Sequence, residues 1–190
     1  AFSDFVRALK AQLASEKLVL LLALPPKTCR GQTGLLCEAH DFRVLGRNAD
    51  LCVLKNASVA LGAPSALADI GRMNEAVRYA VSEIPAKKLL CSLPAGGLQW
   101  ALPWHQGQRA RPLAGAQAAE QAVQVGAPVR YDDAAQAPHY NFWRGGTEQE
   151  VWFEDARSYR AKCALAAEYR LGGVAVPEAA QWYSQLWGIL

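Results

Sequence analysis

Long hydrophobic runs, a surplus of charge of one sign and a paired-cysteine framework are all missing from this 190-residue sequence, and each absence removes a class of protein. A membrane-spanning helix needs roughly 18 or more consecutive apolar residues. The longest apolar run is Leu18–Leu24, closed by Pro25 and Pro26, so no membrane span is expected. The net charge is only +3, with Lys and Arg scattered among Glu and Asp, and nucleic acid is therefore not an expected partner. Cys29, Cys37, Cys52, Cys91 and Cys163 are odd in number and form no CxxC, which argues against both a disulfide framework and a zinc site. Cys52 and Cys91 sit in apolar runs, where a small buried thiol is the simplest reading.

Other signatures are absent too. No GxGxxG or Walker A run follows an apolar segment, so a nucleotide-binding fold is disfavoured and no cofactor is expected. His40, His105 and His139 have no partners at ligand spacing, and no metal site is expected. Ser58 and Ser92 lack a GxSxG elbow, which weakens a serine-hydrolase reading. The N-terminus carries no basic-then-apolar signal pattern, which leaves export and a cytoplasmic location both open.

What is present is a 52% apolar, 19% charged chain, the composition of one globular domain over residues 1–190. Phe2, Phe5, Val6, Leu9 and Leu13 recur at helical spacing and predict an opening amphipathic helix. Apolar runs at Leu18–Leu24, in ADLCVLKNAS from Ala49 and at Leu89–Leu93 read as strands buried on both faces, as in a parallel sheet. Between the second and third lies a helix with Leu67, Ile70, Met73, Val77 and Val81 on one side and Ser65 as its expected N-cap. Residues 101–153 break this rhythm: VRYDD, HYNFWR, Gly145-Gly146 and TEQEVWFE predict an inserted antiparallel hairpin subdomain. A helix from about Ala156 to Tyr169, stopped by Gly172, a short strand in GGVAV and a terminal helix in AAQWYSQLWGIL complete the chain. Four strands alternating with helices predict a parallel α/β sheet with right-handed crossovers, half of an eight-stranded barrel.

The wording of the chain adds an identity to this pattern. LVLLLALPPKT, CEAHDFRVLGRNADLCVL, EIPAKKLLCSLPAGGLQWALP, AQAPHYNF, EVWFEDARSYRAK and EYRLGGV resemble, in order, the second half of the family 18 glycoside hydrolases, in particular the bacterial branch acting on spore cortex peptidoglycan and related N-acetylglucosamine polymers. The resemblance implies a (β/α)8 TIM barrel of which these would be strands five to eight. It places the family's catalytic signature, DxxDxDxE at the end of the fourth strand, before Ala1, so no catalytic residue is expected in this chain. The family uses the substrate's own 2-acetamido group as nucleophile, and Glu154 with Asp155 is not needed as an acid/base pair. Asp155 is instead expected to N-cap the helix from Ala156, with Glu154 closing the preceding strand.

The same resemblance marks the sugar pocket, which in barrels collects at the C-terminal ends of the strands. The family's Met-x-Tyr-Asp after the sixth strand, whose tyrosine holds the acetamido oxygen, is here Lys55, Asn56, Ala57 and Ser58. Its YGYDW-like run after the seventh strand is Gly96, Gly97, Leu98, Gln99 and Trp100, keeping only the glycine and the tryptophan. The floor tryptophan after the eighth strand is replaced by Pro177, followed by Glu178. The ligand-pocket candidates are therefore Lys55, Asn56, Gln99, Trp100 and Glu178, with Lys55 and Glu178 read as a pair across the vacated pocket. Trp100, Trp104, Tyr140 and Trp152 are either sugar-stacking rings or the inserted subdomain's own core. His40 with Asp41 is expected to cap or orient a helix.

These readings converge on a degenerate, non-hydrolytic family 18-like domain with a structural or glycan-binding role in a spore or cell envelope. Its expected partner is a glycan of the peptidoglycan or chitin type. The first alternative is the C-terminal half of a working glycosidase with its DxxDxDxE upstream. The second is a half-barrel assembly module that pairs its open edges with a second copy or with the missing half.

Overall fold

The computed structural model describes residues 1–56, 63–176 and 188–189. The chain falls into two units, residues 1–56, 72–92 and 164–175 forming one, and residues 57–71, 93–163 and 176–190 the other.

The first unit is built on a parallel sheet. Strands β1 (Leu21–Leu24), β2 (Leu51–Leu54), β3 (Leu89–Ser92) and β9 (Gly173–Ala175) lie in the order β1-β2-β3-β9. Leu24 faces Leu54, Leu54 faces Cys91, and Cys91 faces Val174 across successive pairs. The helices α1 (Phe2–Ser15), α2 (Phe42–Asn48) and α3 (Ile70–Glu83) alternate with the strands. Their buried residues include Val6, Phe42, Leu45, Met73, Val77 and Ala80, spaced as an amphipathic helix requires. The buried thiols of Cys52 and Cys91 belong to β2 and β3, as expected.

Several details correct the sequence reading. The first strand begins at Leu21 rather than Leu18, and it is not buried on both faces: Leu21 is 49% exposed, and Leu18 and Val19 before it are exposed as well. It is an edge strand with one paired neighbour among the described residues, and its burial is uneven, with Leu24 buried and Leu21 exposed. Helix α3 starts at Ile70, so Ser65 does not cap it. The last helix of the described chain ends at Glu168, and Arg170, not a glycine, takes the left-handed conformation after it. Gly172 serves a different need, because a Cβ there would stand 2.4 Å from the Lys87 carbonyl oxygen. That close approach allows its N–H to donate to Ala86 O and Leu89 O. The predicted terminal helix lies mostly outside the described residues.

The second unit replaces the predicted hairpin with a larger antiparallel sheet, in the order β5-β4-β8-β7-β6. Its strands are β4 (Gly97–Leu102), β5 (Arg111–Leu113), β6 (Arg130–Asp132), β7 (Ala137–Arg144) and β8 (Thr147–Phe153), with α4 (Gly115–Gln124) between β5 and β6. The hairpin itself is where the sequence placed it. Gly145 (φ +58°) and Gly146 (φ +78°) join Arg144 to Thr147, both in the left-handed region that a two-residue hairpin loop demands.

Opposite residues of an antiparallel pair share a face, and the register separates two. One face carries Leu113, Tyr140, Phe142, Val151 and Phe153, packed with Ala118 and Ala122 of α4. The other carries Trp100, Ala137 and Trp152, packed with Ala66 and Ala135 and flanked by Leu98 and Trp104. The sequence missed β4, β5 and α4 because LQWALP and RPL are short, and AGAQAAEQAVQ is a helix of alanines with little apolar contrast.

Candidate functional site

The end of β2 is the first place the sequence marked. Leu54 is the last strand residue, and Lys55 and Asn56 follow it directly. Lys55 is exposed, its backbone N–H donating to Leu24 O at 2.9 Å. Asn56 is half-buried, and its Oδ1 has no hydrogen-bond partner among the described residues. Ala57, Ser58, Pro177 and Glu178 lie outside the described residues, and with them the proposed Lys55–Glu178 pair.

Gln99 and Trp100 belong to the second unit, on opposite faces of β4. Gln99 is buried and donates through Nε2 to Gln149 Oε1 at 2.9 Å. Trp100 is 1% exposed, inside the apolar cluster with Ala137 and Trp152. Gly97 has no room for a side chain, since a Cβ would stand 2.9 Å from both Phe153 Cβ and Trp152 O. Gly97 and Trp100 thus have packing duties here, as do Leu98, which flanks the Trp100 cluster, and the buried Gln99.

Glu154 and Asp155 resolve into scaffold. Asp155 Oδ1 accepts from the N–H groups of Arg157 (2.9 Å) and Ser158 (3.0 Å), and Ser158 Oγ accepts from Asp155 N–H at 2.9 Å. This reciprocal cap starts α5 (Ala156–Glu168) as predicted. The Arg157 guanidinium bonds Asp155 and lies over the Tyr131 ring at 4.5 Å. Glu154, fully buried, accepts from Lys162 Nζ at 2.7 Å, and Lys162 is fully buried too. Burial pushes the Glu154 carboxyl above its ordinary range, against the pull of the Lys162 ammonium. The sequence placed Lys162 on the helix but gave no sign of this partner.

The remaining candidates are mostly structural. Asp41 Oδ1 accepts from Val44 N–H and caps α2. His40 lies 5.1 Å from the Phe2 ring, and burial, then nearby Lys27, lowers its pKa. Tyr140 places its hydroxyl 2.8 Å from Ala118 O, and burial pushes its pKa up to about 12. Trp152 stacks on His139 at 4.5 Å and donates to Glu150 Oε1 at 2.7 Å. Trp104 is half-buried against the Trp100 cluster, Ser92 is buried and His105 is exposed. Among the described residues, no group of three or more His, Cys, Asp and Glu side chains could hold a metal ion.

Two features escaped the sequence reading. Lys27 of the LPPKT run is buried and donates to the carbonyls of Arg30, Cys37 and His40 at 3.2, 3.3 and 3.1 Å, fixing the loop after β1. On the antiparallel sheet, Pro128, Arg130, Asn141 and Glu148 line a cavity of about 260 Å³. Asn141 Nδ2 donates to Glu148 Oε1 at 3.0 Å. Trp143, two residues along β7, is directly opposite Glu148 and 72% exposed. The signal was the alternation of His139, Asn141 and Trp143 with buried Tyr140 and Phe142.

A parallel sheet with alternating helices, accompanied by an antiparallel sheet that begins just after β3, is the chitinase-like α/β fold of glycoside hydrolases. The model for glycosyl hydrolases family 18 matches residues 1–181, and the chain belongs to that family. It is 35% identical over 194 aligned residues to the cortical fragment-lytic enzyme of Bacillus subtilis (strain 168), covering 100% of this chain and 45% of that protein. The crystal structure of the Bacillus megaterium QM B1551 spore cortex-lytic enzyme SleL superposes with a TM-score of 0.92 at 35% identity, over 98% of this chain and 43% of that one. A chitinase structure from Chromobacterium violaceum ATCC 12472 matches with a TM-score of 0.89 at 25% identity, over 98% of this chain and 59% of that one. The chain thus spans less than half the length of the cortex-lytic relatives it matches.

Proposed function

We propose that this chain is part of a family 18 domain that keeps the scaffold of a glycan hydrolase and holds glycan without cleaving it, in a spore or cell-envelope setting. One observation carries the reading. Where the chain agrees with the family's run after β3, the shared residues Gly97 and Trp100 are packing residues. The positions the family uses to grip the sugar hold Lys55, Asn56, Ala57 and Ser58 after β2, and Gly96, Leu98 and Gln99 after β3. Selection on packing without selection on the pocket leaves this pattern. Losing a preorganised transition-state contact typically costs on the order of 10²–10³-fold in turnover. An acetamido-holding tyrosine and its supporting acid are two such contacts. In this reading the four parallel strands are the fifth to eighth of a barrel, the antiparallel sheet is its inserted subdomain, and Lys55 and Asn56 stand where the pocket was.

The test is release of reducing ends from cortex fragments and chitooligosaccharides by the full-length protein that carries this chain. No release above a heat-denatured control is expected, alongside measurable binding of the same fragments. Turnover would establish the second reading, a working glycosidase with its acid upstream, which the 35% identity to a cortical fragment-lytic enzyme across the whole chain favours. For the half-barrel assembly reading, a stable monomer of the isolated chain by light scattering rules out closure by a second copy.

A further inference from the structure

We infer that the antiparallel sheet carries its own saccharide-binding cleft, built by Arg130, Asn141, Trp143 and Glu148 and distinct from the altered positions after β2. The inference rests on the glycan-holding reading above and says where the glycan is held.

The cleft follows from the register. Arg130 pairs with His139, Asn141 with Glu150 and Trp143 with Glu148, so these residues share the face that also carries Trp100 and Trp152. That face has two ends of opposite character. At one, Trp100, Ala137 and Trp152 are packed under Ala66 and Ala135, and His139 stacks on Trp152 as the boundary. At the other the face opens into the cavity, with Trp143 exposed beside it. A sheet that buries Trp100 and Trp152 has left one tryptophan bare at the edge of a polar hollow.

The chemistry of the lining selects the ligand. A pyranose presents an apolar C–H face and an equatorial rim of hydroxyls, and it is held by an aromatic platform beside side chains that accept and donate in one plane. Trp143 supplies the platform. Glu148, Asn141 and Arg130 supply an acceptor, a mixed carboxamide and a donor fork. The Asn141–Glu148 hydrogen bond fixes the carboxylate before a ligand arrives. Glu148 lines the cavity with Arg130, and Glu150, opposite Asn141 on the same face and bonded by Trp152 Nε1, adds a second carboxylate, which disfavours a phosphate or nucleic-acid backbone. A volume of about 260 Å³ fits a single sugar unit of a longer strand. The ligand class is therefore a pyranose unit of a glycan, bound locally along its chain, and its being an N-acetylhexosamine follows from the glycan-holding reading.

The test is titration calorimetry on the full-length protein, with N-acetylglucosamine tetramer and with purified cortex fragments as the two probes. Trp143→Ala and Glu148→Gln should each weaken binding of the bound probe by about tenfold, corresponding to about 1.4 kcal/mol. Val123→Ser on exposed α4, the helix packed on the opposite face, should leave affinity and melting temperature unchanged. Both substituted cleft residues are away from the buried clusters, and thermal melts within a few degrees of the parent would confirm folded variants. If the parent binds and both cleft variants bind equally well, the cleft is overturned while glycan holding stands. Weakening by Lys55→Ala alone would move the site to the end of β2 and overturn it as well. If the parent binds neither probe, the glycan-holding reading falls, and this inference with it.

Discussion

At the end of β8 the chain enters α5 through a carboxylate and an ammonium that expose nothing to solvent, and through an aspartate that caps two N–H groups. At the end of β2 it leaves through an exposed lysine and an asparagine whose Oδ1 has no partner among the described residues. Both are strand ends in a family whose chemistry gathers at strand ends. One keeps the wording of the family and is packed so tightly that a change propagates into the core. The other ends on a lysine whose side chain is open to solvent. The difference teaches that retained sequence marks where the fold depends on a side chain. A resemblance strong in scaffold words is therefore no measure of the pocket.

The contrast can be broken first at its tight end. Lys162→Met leaves Glu154 buried without its counter-charge, and a loss of about 3–5 kcal/mol in folding stability is expected from chemical denaturation. Replacing both partners, Glu154→Leu with Lys162→Met, should recover most of it, because an apolar pair needs no desolvation. The single variant also has a pH signature. With the ammonium gone, burial, helped by the Asp155 charge and opposed only by Ser158, raises the folded pKa of Glu154 further above the unfolded value of about 4.3. Such a group adds stability below its unfolded pKa and loses it as pH rises through the folded pKa. The variant should therefore be weaker at pH 8 than at pH 5 relative to the parent. An equal deficit at both would show the pair is not the source.

The next effect is smaller. Asp155→Ala removes the cap of α5 and should cost about 1 kcal/mol, within a range of about 0.5–2, read as a shift in denaturation midpoint. At the open end, Lys55→Ala should change stability by less than about 0.5 kcal/mol, as an exposed residue without a structural role does. A larger loss there would mean that the fold leans on the end of β2 as heavily as on the end of β8. Thiol labelling gives the finest comparison. Cys29 is exposed, whereas burial pushes the Cys52 thiol up to about 11 in the interior of β2. Cys29 should react under native conditions and Cys52 only on unfolding. Equal rates would show that the openness of the strand end extends into the strand.

Much of the scaffold was legible because its signals are local. The apolar runs of β2 and β3, the helical spacing of α1 and α3, the two glycines of the β7–β8 turn and the cap at Asp155 each depend on a few neighbouring residues. The failures were of other kinds. Leu18–Leu24 reads as a fully buried strand, yet it lies at a sheet edge, and edge position is a property of topology. Ser65 has the chemistry of an N-cap, yet helix α3 begins five residues later. Strands β4 and β5 and helix α4 carry too little periodic contrast to register in a short window.

By itself the sequence determined the family and the alternation of strands and helices in the first unit, because each is written in the identity and order of side chains. Only the tertiary structure decided that Glu154 meets Lys162 in full burial, that Gly97 and Trp100 are held by packing, and that Asn141, Trp143, Glu148 and Arg130 share one open face. Those facts depend on which strands lie side by side and in what register. A one-residue slip in the register of β7 and β8 would have turned Asn141, Trp143 and Glu148 off the face they share.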